Sequence, residues 1–171
     1  MHKQFLRGHA HAASRIGGGF TLIEMLVTIT ILAILLAIAV PSMNALIRDQ
    51  RVKAATLDVY ASFAFARSEA IKRNASVMIT PNSTDWGNGW QVQVGGASLK
   101  NQDAINKVSI SGPAAAIAYQ RDGRIGGTTA PSFVVKSADD STITARCVRI
   151  DLSGRPNIKV DTNHNAADGC Q

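Results

Sequence analysis

Hydrophobic positions along this chain fall into two regimes. Phe20 to Val40 is a run of 21 residues with one charge, Glu24, while the residues after it mix apolar and polar positions as a water-exposed domain does. A helix rising ~1.5 Å per residue makes this run about 31 Å long, the thickness of a bilayer's hydrocarbon core. Beyond it, Met43, Leu46, Ile47, Val52, Val59, Phe63, Ala66 and Ala70 recur at helical spacing, so the helix is expected to continue as an amphipathic one to about Asn74. After Asn74 the pattern changes to short strands separated by Gly, Pro, Asn and Ser, over 76–80, 90–94, 107–111, 117–120, 133–136, 142–152 and 157–160. No helical period intervenes. The predicted fold class is α+β: a long N-terminal transmembrane helix continuing into a small antiparallel β-sheet globular domain, in one or two sheets.

Charge adds an orientation. Lys3, Arg7 and Arg15 precede the apolar run with no acidic residue among them, which places the first 19 residues in the cytoplasm and the C-terminal part outside. The two cysteines, Cys147 and Cys170, then lie in an oxidising compartment, where an even pair predicts a disulfide; two buried thiols are the alternative. The apolar run is longer than the core of a secretory signal and lacks a clean small-residue cleavage site behind it. Cleavage at its far end is therefore not expected.

The junction in front of the run is distinctive: Gly17-Gly18-Gly19 followed by Phe20-Thr21-Leu22-Ile23-Glu24. Here the chain resembles the type IV pilin superfamily. The resemblance implies a leader, residues 1–19, cut after Gly19 by a prepilin peptidase, and N-methylation of the new N-terminal Phe20. Counted from Phe20, Glu24 is fifth and Pro41 twenty-second, places where the family carries those residue types. The implied organisation is 1–19 leader, 20–74 helix (20–40 membrane and filament core, 41–74 amphipathic) and 75–171 periplasmic β-rich domain.

Glu24 also has a reading from chemistry alone. A carboxylate in an otherwise apolar membrane helix calls for a partner of opposite charge, and cutting after Gly19 creates one in the freed amine of Phe20. In a staggered stack of parallel helices, Glu24 of one subunit approaches the amine of the next, the pairing that the resemblance also implies. Pro41 lacks an N–H and crowds the carbonyl of Ala37, so a kink or local melting is expected there. The run Ala66-Arg67-Ser68-Glu69-Ala70-Ile71-Lys72-Arg73-Asn74 reads as a helix end, with Glu69 and Arg73 an i,i+4 pair. Together with Trp86-Gly87-Asn88-Gly89-Trp90 it is similar to minor pilins and pseudopilins of the GspH/FimT type. Asn88-Gly89 is a turn signal, and the tryptophans beside it read as packing anchors, with stacking on bases or sugars as the alternative.

Residues after the leader carry 15 basic against 12 acidic side chains, a mild basic bias that permits contact with DNA without requiring it. Strand alternation sets Arg155, Asn157 and Lys159 on one face and Ile158 and Val160 on the other, a candidate double-stranded DNA-binding stripe with Arg149, Arg146, Arg124 and Arg121 as possible neighbours. Some DNA-binding FimT-type pilins of natural transformation carry Gly-Arg-x-Arg here. Gly154-Arg155 matches its first half, and Asn157 replaces the second Arg. The D-x-N-x-N spacing of Asp161, Asn163 and Asn165 resembles the opening of a calcium loop, but Ala166 stands where Gly is needed and no Glu closes it, so a polar loop held by Cys170 is expected. His164 is the only histidine after the leader and no catalytic motif is present, so no enzyme, cofactor or metal is expected. The reading is a minor type IV pilin that helps initiate or cap a pilus, with other major and minor pilins, the prepilin peptidase and the inner membrane as partners. The alternative is the H-type minor pseudopilin of a type II secretion system.

Overall fold

A computed structural model describes residues 19–163 together with Asn165, Asp168 and Cys170. The leader up to Gly18, and His164, Ala166 and Ala167 of the loop with calcium-like spacing, lie outside the described residues. The chain divides into two compact units, residues 1–40 and 41–171. One helix, α1, is assigned over Leu22–Arg73 with Pro41 inside it.

Local chemistry sets both ends of α1. Thr21 is the cap: its Oγ1 accepts from the Glu24 N–H at 3.2 Å, satisfying one of the free donors of the first turn. At the other end Asn74 adopts φ 50°. The Asn74 N–H donates to the Ile71 carbonyl (3.3 Å) and the Ala75 N–H to the Ala70 carbonyl (3.2 Å), the paired bonds of a Schellman ending. Glu69 accepts from Arg73 Nε at 2.6 Å, and that bond, with Lys72 nearby, holds its carboxyl below the usual value. The basic run at 67–73 is thus a helix terminus in the second unit, as its spacing suggested.

In the second unit, eight strands follow: β1 (Val77–Pro81), β2 (Trp90–Val94), β3 (Ala97–Gln102), β4 (Val108–Ser111), β5 (Ile117–Tyr119), β6 (Ser132–Ser137), β7 (Arg146–Ile150) and β8 (Pro156–Val160). They form two antiparallel four-stranded sheets, β3-β2-β1-β5 and β4-β6-β7-β8. Two sheets, left open by the sequence, are resolved as such.

The buried stripe of α1, from Val52 through Ala55, Val59, Phe63 and Ala66 to Ala70, advances by three or four residues at a time. It joins one core with Val77, Ile79 and Val92 of the first sheet and Ile110, Phe133, Val135, Val148 and Ile150 of the second. Both tryptophans belong to this core. Trp86 packs edge-on to Phe133 at 4.7 Å between ring centroids and donates its Nε1–H to the Pro113 carbonyl at 2.8 Å. Trp90 is fully buried beside it. Their role is packing, and neither ring face is open to a ligand.

The disulfide Cys147–Cys170 is formed and ties Cys170 to β7. Its cysteines are 23 apart in sequence, and closing such a loop stabilises by about 3 kcal/mol in the chain-entropy account. Replacing both cysteines with serine is expected to lower unfolding free energy by about that amount, measured by denaturant titration with and without reductant on the parent chain.

Candidate functional site

Two surfaces carry the residues singled out above. The first is the apolar half of α1. Residues 19–40 are all exposed, Phe20 at 79% and Leu22 at 83% among them. The most apolar window of the helix has a mean hydropathy of 2.7 and none of it is buried. Its mid-helix hydroxyls are internally satisfied: Thr28 Oγ1 donates to the Met25 carbonyl (2.9 Å) and Thr30 Oγ1 to the Leu26 carbonyl (2.7 Å). Thr21-x-x-Glu24 has the spacing of a capping box, which sequence reading did not use. Only the threonine half of that box is seen, because no bond returns from the Glu24 carboxylate to the Thr21 N–H among the described residues. Glu24 is exposed, and its acidic position in the first turn suits the helix dipole.

The second surface lies on the sheet β4-β6-β7-β8. Here β8 is an edge strand, consistent with Pro156 at its start. Asn157 pairs with Arg149 and Lys159 with Cys147, so all four occupy one side of the sheet, with Arg155 two residues before Asn157. Arg149, Arg155, Asn157 and Lys159 are exposed while Val148 and Ile150 on the other side are buried. Lys136 of β6 shares their side and was missed because its strand reads as apolar. Arg146 does not share it. It pairs with Val160 on the alternate side, half-buried, with Nε buried and unpartnered among the described residues.

Gly154 fixes how Arg155 meets the rest. It adopts φ +81°, and a Cβ there would stand 1.9 Å from the Gly123 carbonyl oxygen. Tyr119 Oη donates to the Gly154 carbonyl at 3.1 Å; burial pushes this phenol's pKa up, keeping it a donor. Arg67 Nε donates to the Gly123 carbonyl at 3.1 Å. Thus the turn carrying Arg121 and Arg124 abuts the turn carrying Arg155, and Arg155 and Arg67 line one shallow groove with Tyr60 and Ile71. The first half of the sequence motif therefore has a packing cause. Gly154→Ala is expected to destabilise by roughly 2–3 kcal/mol, from positive φ and backbone overlap together, read as a lowered midpoint in urea.

In the loop with calcium-like spacing, described residues bond to one another. Asn163 Nδ2 donates to Asp168 Oδ2 at 2.6 Å, and Asn163 Oδ1 accepts from the Asn165 N–H at 2.9 Å, so this side chain is used within the loop. Among the described residues, no group of three metal-ligating side chains is placed to hold an ion.

Comparison with known proteins decides the family. The profile described as "Type II transport protein GspH" matches residues 55–154, more than half of the chain. The chain belongs to the GspH family. The "Prokaryotic N-terminal methylation motif" matches residues 17–40, across the Gly19–Phe20 junction. Two crystal structures of the type IV minor pilin FimU from Pseudomonas aeruginosa are similar in fold. One, with a TM-score of 0.57 and 20% identity, is matched over 64% of this chain and 89% of that one. The other, with a TM-score of 0.55 and 21% identity, is matched over 63% and 91%. No curated protein matches significantly. This GspH-family chain is therefore a minor pilin or pseudopilin of the type IV pilin superfamily, with a pilin α+β fold.

Proposed function

We propose that the chain is a minor pilin processed between Gly19 and Phe20, methylated on Phe20, held in the inner membrane by residues 20–40 with its β domain in the periplasm, and then drawn into a pilus. It joins other pilins there and helps initiate or cap assembly. The observation that carries this reading is the wholly exposed apolar helix half behind a methylation motif: it is built to be covered by lipid and then by neighbouring helices. Glu24, meeting the Phe20 amine of a neighbour, would set register.

Mass spectrometry of the chain from cells with and without the prepilin peptidase tests processing; a mature chain beginning at methylated Phe20 is expected only where the enzyme is present. Deletion with separate assays of surface pili and protein secretion tests the destination. Loss of pili is expected, and loss of secretion alone would move the chain to a type II secretion pseudopilus.

A second reading adds DNA contact during transformation. It is favoured by Arg149 of β7 and Asn157 and Lys159 of the edge strand β8 sharing one side of the sheet, with Arg155 just before β8 next to the turn of Arg121 and Arg124. Phosphate contact by such cations is salt-sensitive. Neutralising Arg155 and Lys159 is expected to weaken duplex binding and flatten its salt dependence; unchanged binding would reject this surface.

A further inference from the structure

One aromatic ring after residue 40 stands clear of the core. Phe63, Trp86, Trp90, Tyr119 and Phe133 are buried and Phe65 is half-buried, whereas Tyr60 is 37% exposed. It shares one strip of α1 with Ala64, Arg67, Ser68 and Ile71, and Tyr60, Ser68 and Ile71 of that strip are exposed. These side chains and the Arg155-Pro156 segment enclose a groove of about 380 Å³. Its lining is apolar along Ala64, Ile71 and Pro156 and carries two guanidinium groups, Arg67 and Arg155, with no carboxylate.

Both cations are pre-set by backbone contacts. Arg67 is held against the turn of Arg121 and Arg124 by its Nε bond to the Gly123 carbonyl. The backbone of Arg155 belongs to a closed turn, in which the Gly154 N–H donates to the Asp151 carbonyl at 2.7 Å and the Asp151 N–H to the Arg155 carbonyl at 3.0 Å. Neither guanidinium forms an ion pair among the described residues. Asp122 and Asp151 sit on the flanking turns and offset part of the charge, although Asp122 already accepts from the Arg124 N–H at 3.1 Å. Arg155 precedes Asn157 by two residues, so the groove begins where the cationic side of the sheet ends.

We propose that this groove receives one unstacked nucleotide of a DNA single strand or frayed end, its base against Tyr60 and its flanking phosphates on Arg67 and Arg155. The proposal rests on the DNA-contact reading above and narrows its substrate. A paired duplex cannot fill the groove, because its bases lie inside the stack and leave it only when unpaired or flipped. Phosphate alone does not account for an exposed ring beside an apolar floor. A base with its phosphates matches both, since single-strand sites combine a cationic groove with an aromatic face on which a base stacks. Continuity with Arg149, Asn157 and Lys159 selects a polyanion over a lone carboxylate.

The test uses the full chain in detergent with three probes: a blunt duplex, the same duplex with a single-stranded tail, and the tail sequence alone. The tail is expected to tighten binding ~tenfold over the blunt duplex, the worth of about one stacked base. Tyr60→Ala is expected to remove that gain and leave blunt-duplex affinity within about twofold, while Tyr60→Phe, which keeps the ring, retains the gain. Ala64→Leu, which fills the floor with a good helix former, is expected to act like Tyr60→Ala should the alanine variant fold poorly. Equal affinity for tailed and blunt duplexes overturns the groove, and so does a tail gain that survives both substitutions. Polyglutamate that displaces the tail as well as a single strand does would make the occupant an acidic protein segment and overturn it too. Absence of binding by every probe at low salt would sink the DNA reading together with the groove, a result distinct from blunt-duplex binding without a tail gain.

Discussion

Replacing Phe63 with alanine is expected to cost about 3–5 kcal/mol of unfolding free energy and to lower Tm by about 10 °C or more. The size follows from the position of the ring. Phe63 is fully buried on α1, with centroids 5.0 Å from Phe133, 6.1 Å from Trp86 and 6.3 Å from Tyr119. Those neighbours come from both sheets and the loop between β1 and β2, so the side chain that joins the layers would leave a cavity bounded by rigid aromatic rings. Such rings relax little, which puts the loss toward the upper end of the large-to-small range. Phe63→Leu, which retains most of the volume, is expected to cost less than half as much. Unfolding followed by the fluorescence of Trp86 and Trp90 measures both, since these tryptophans lie in the same cluster. A cost below about 1 kcal/mol for Phe63→Ala would mean that the sheets do not close on the helix at this ring.

Elements whose burial is periodic were legible from sequence, and elements without a buried face were not. α1 shows its stripe at three- and four-residue steps, and its end at Asn74 was readable within one residue. Strand β3, Ala97–Gln102, was missed. It is an edge strand with no fully buried position, entered through Gly95 and Gly96, so it displays neither alternation nor hydrophobic excess. The strand expected over 142–152 is shorter at both ends: at its start Thr142 turns back on Asp140, with its N–H and Oγ1 both on Asp140 Oδ1, and beyond Ile150 a turn closes with the Gly154 N–H on the Asp151 carbonyl. That turn chemistry competes with the ladder over the preceding residues.

The candidate surfaces divide in the same way. The stripe of Arg155, Asn157 and Lys159 follows from strand period alone. Arg146 was misgrouped because neighbours in sequence on a strand face opposite sides. The role of Gly154 has no local signal, since the oxygen it must clear belongs to Gly123 in a distant turn. Asp161 was noticed for its spacing to Asn163 and Asn165, yet its environment is made by loop residues near Asp140 and by register with Ala145.

Glu24→Leu is expected to reduce filament incorporation by about a hundredfold or more while cleavage after Gly19 continues, because the amine of a neighbouring Phe20 then has no carboxylate at membrane depth. The scale is that of stripping one partner from a desolvated pair, about 3–5 kcal/mol. Thr21 complicates the interpretation, since Glu24 also occupies the third helical position behind a threonine cap whose bond to the Glu24 N–H is formed. A capping contribution is worth roughly 1 kcal/mol and needs a side-chain acceptor, not a charge. Glu24→Gln separates the two: it keeps the acceptor and removes the charge. If pairing with the amine dominates, Gln behaves like Leu; if helix capping dominates, Gln is close to the parent. Incorporation of both variants, measured in sheared filaments alongside the mass of the processed chain, decides between them. The exposed carboxylate and the absence of a return bond to Thr21 favour pairing, so the glutamine variant is expected to fail with the leucine one.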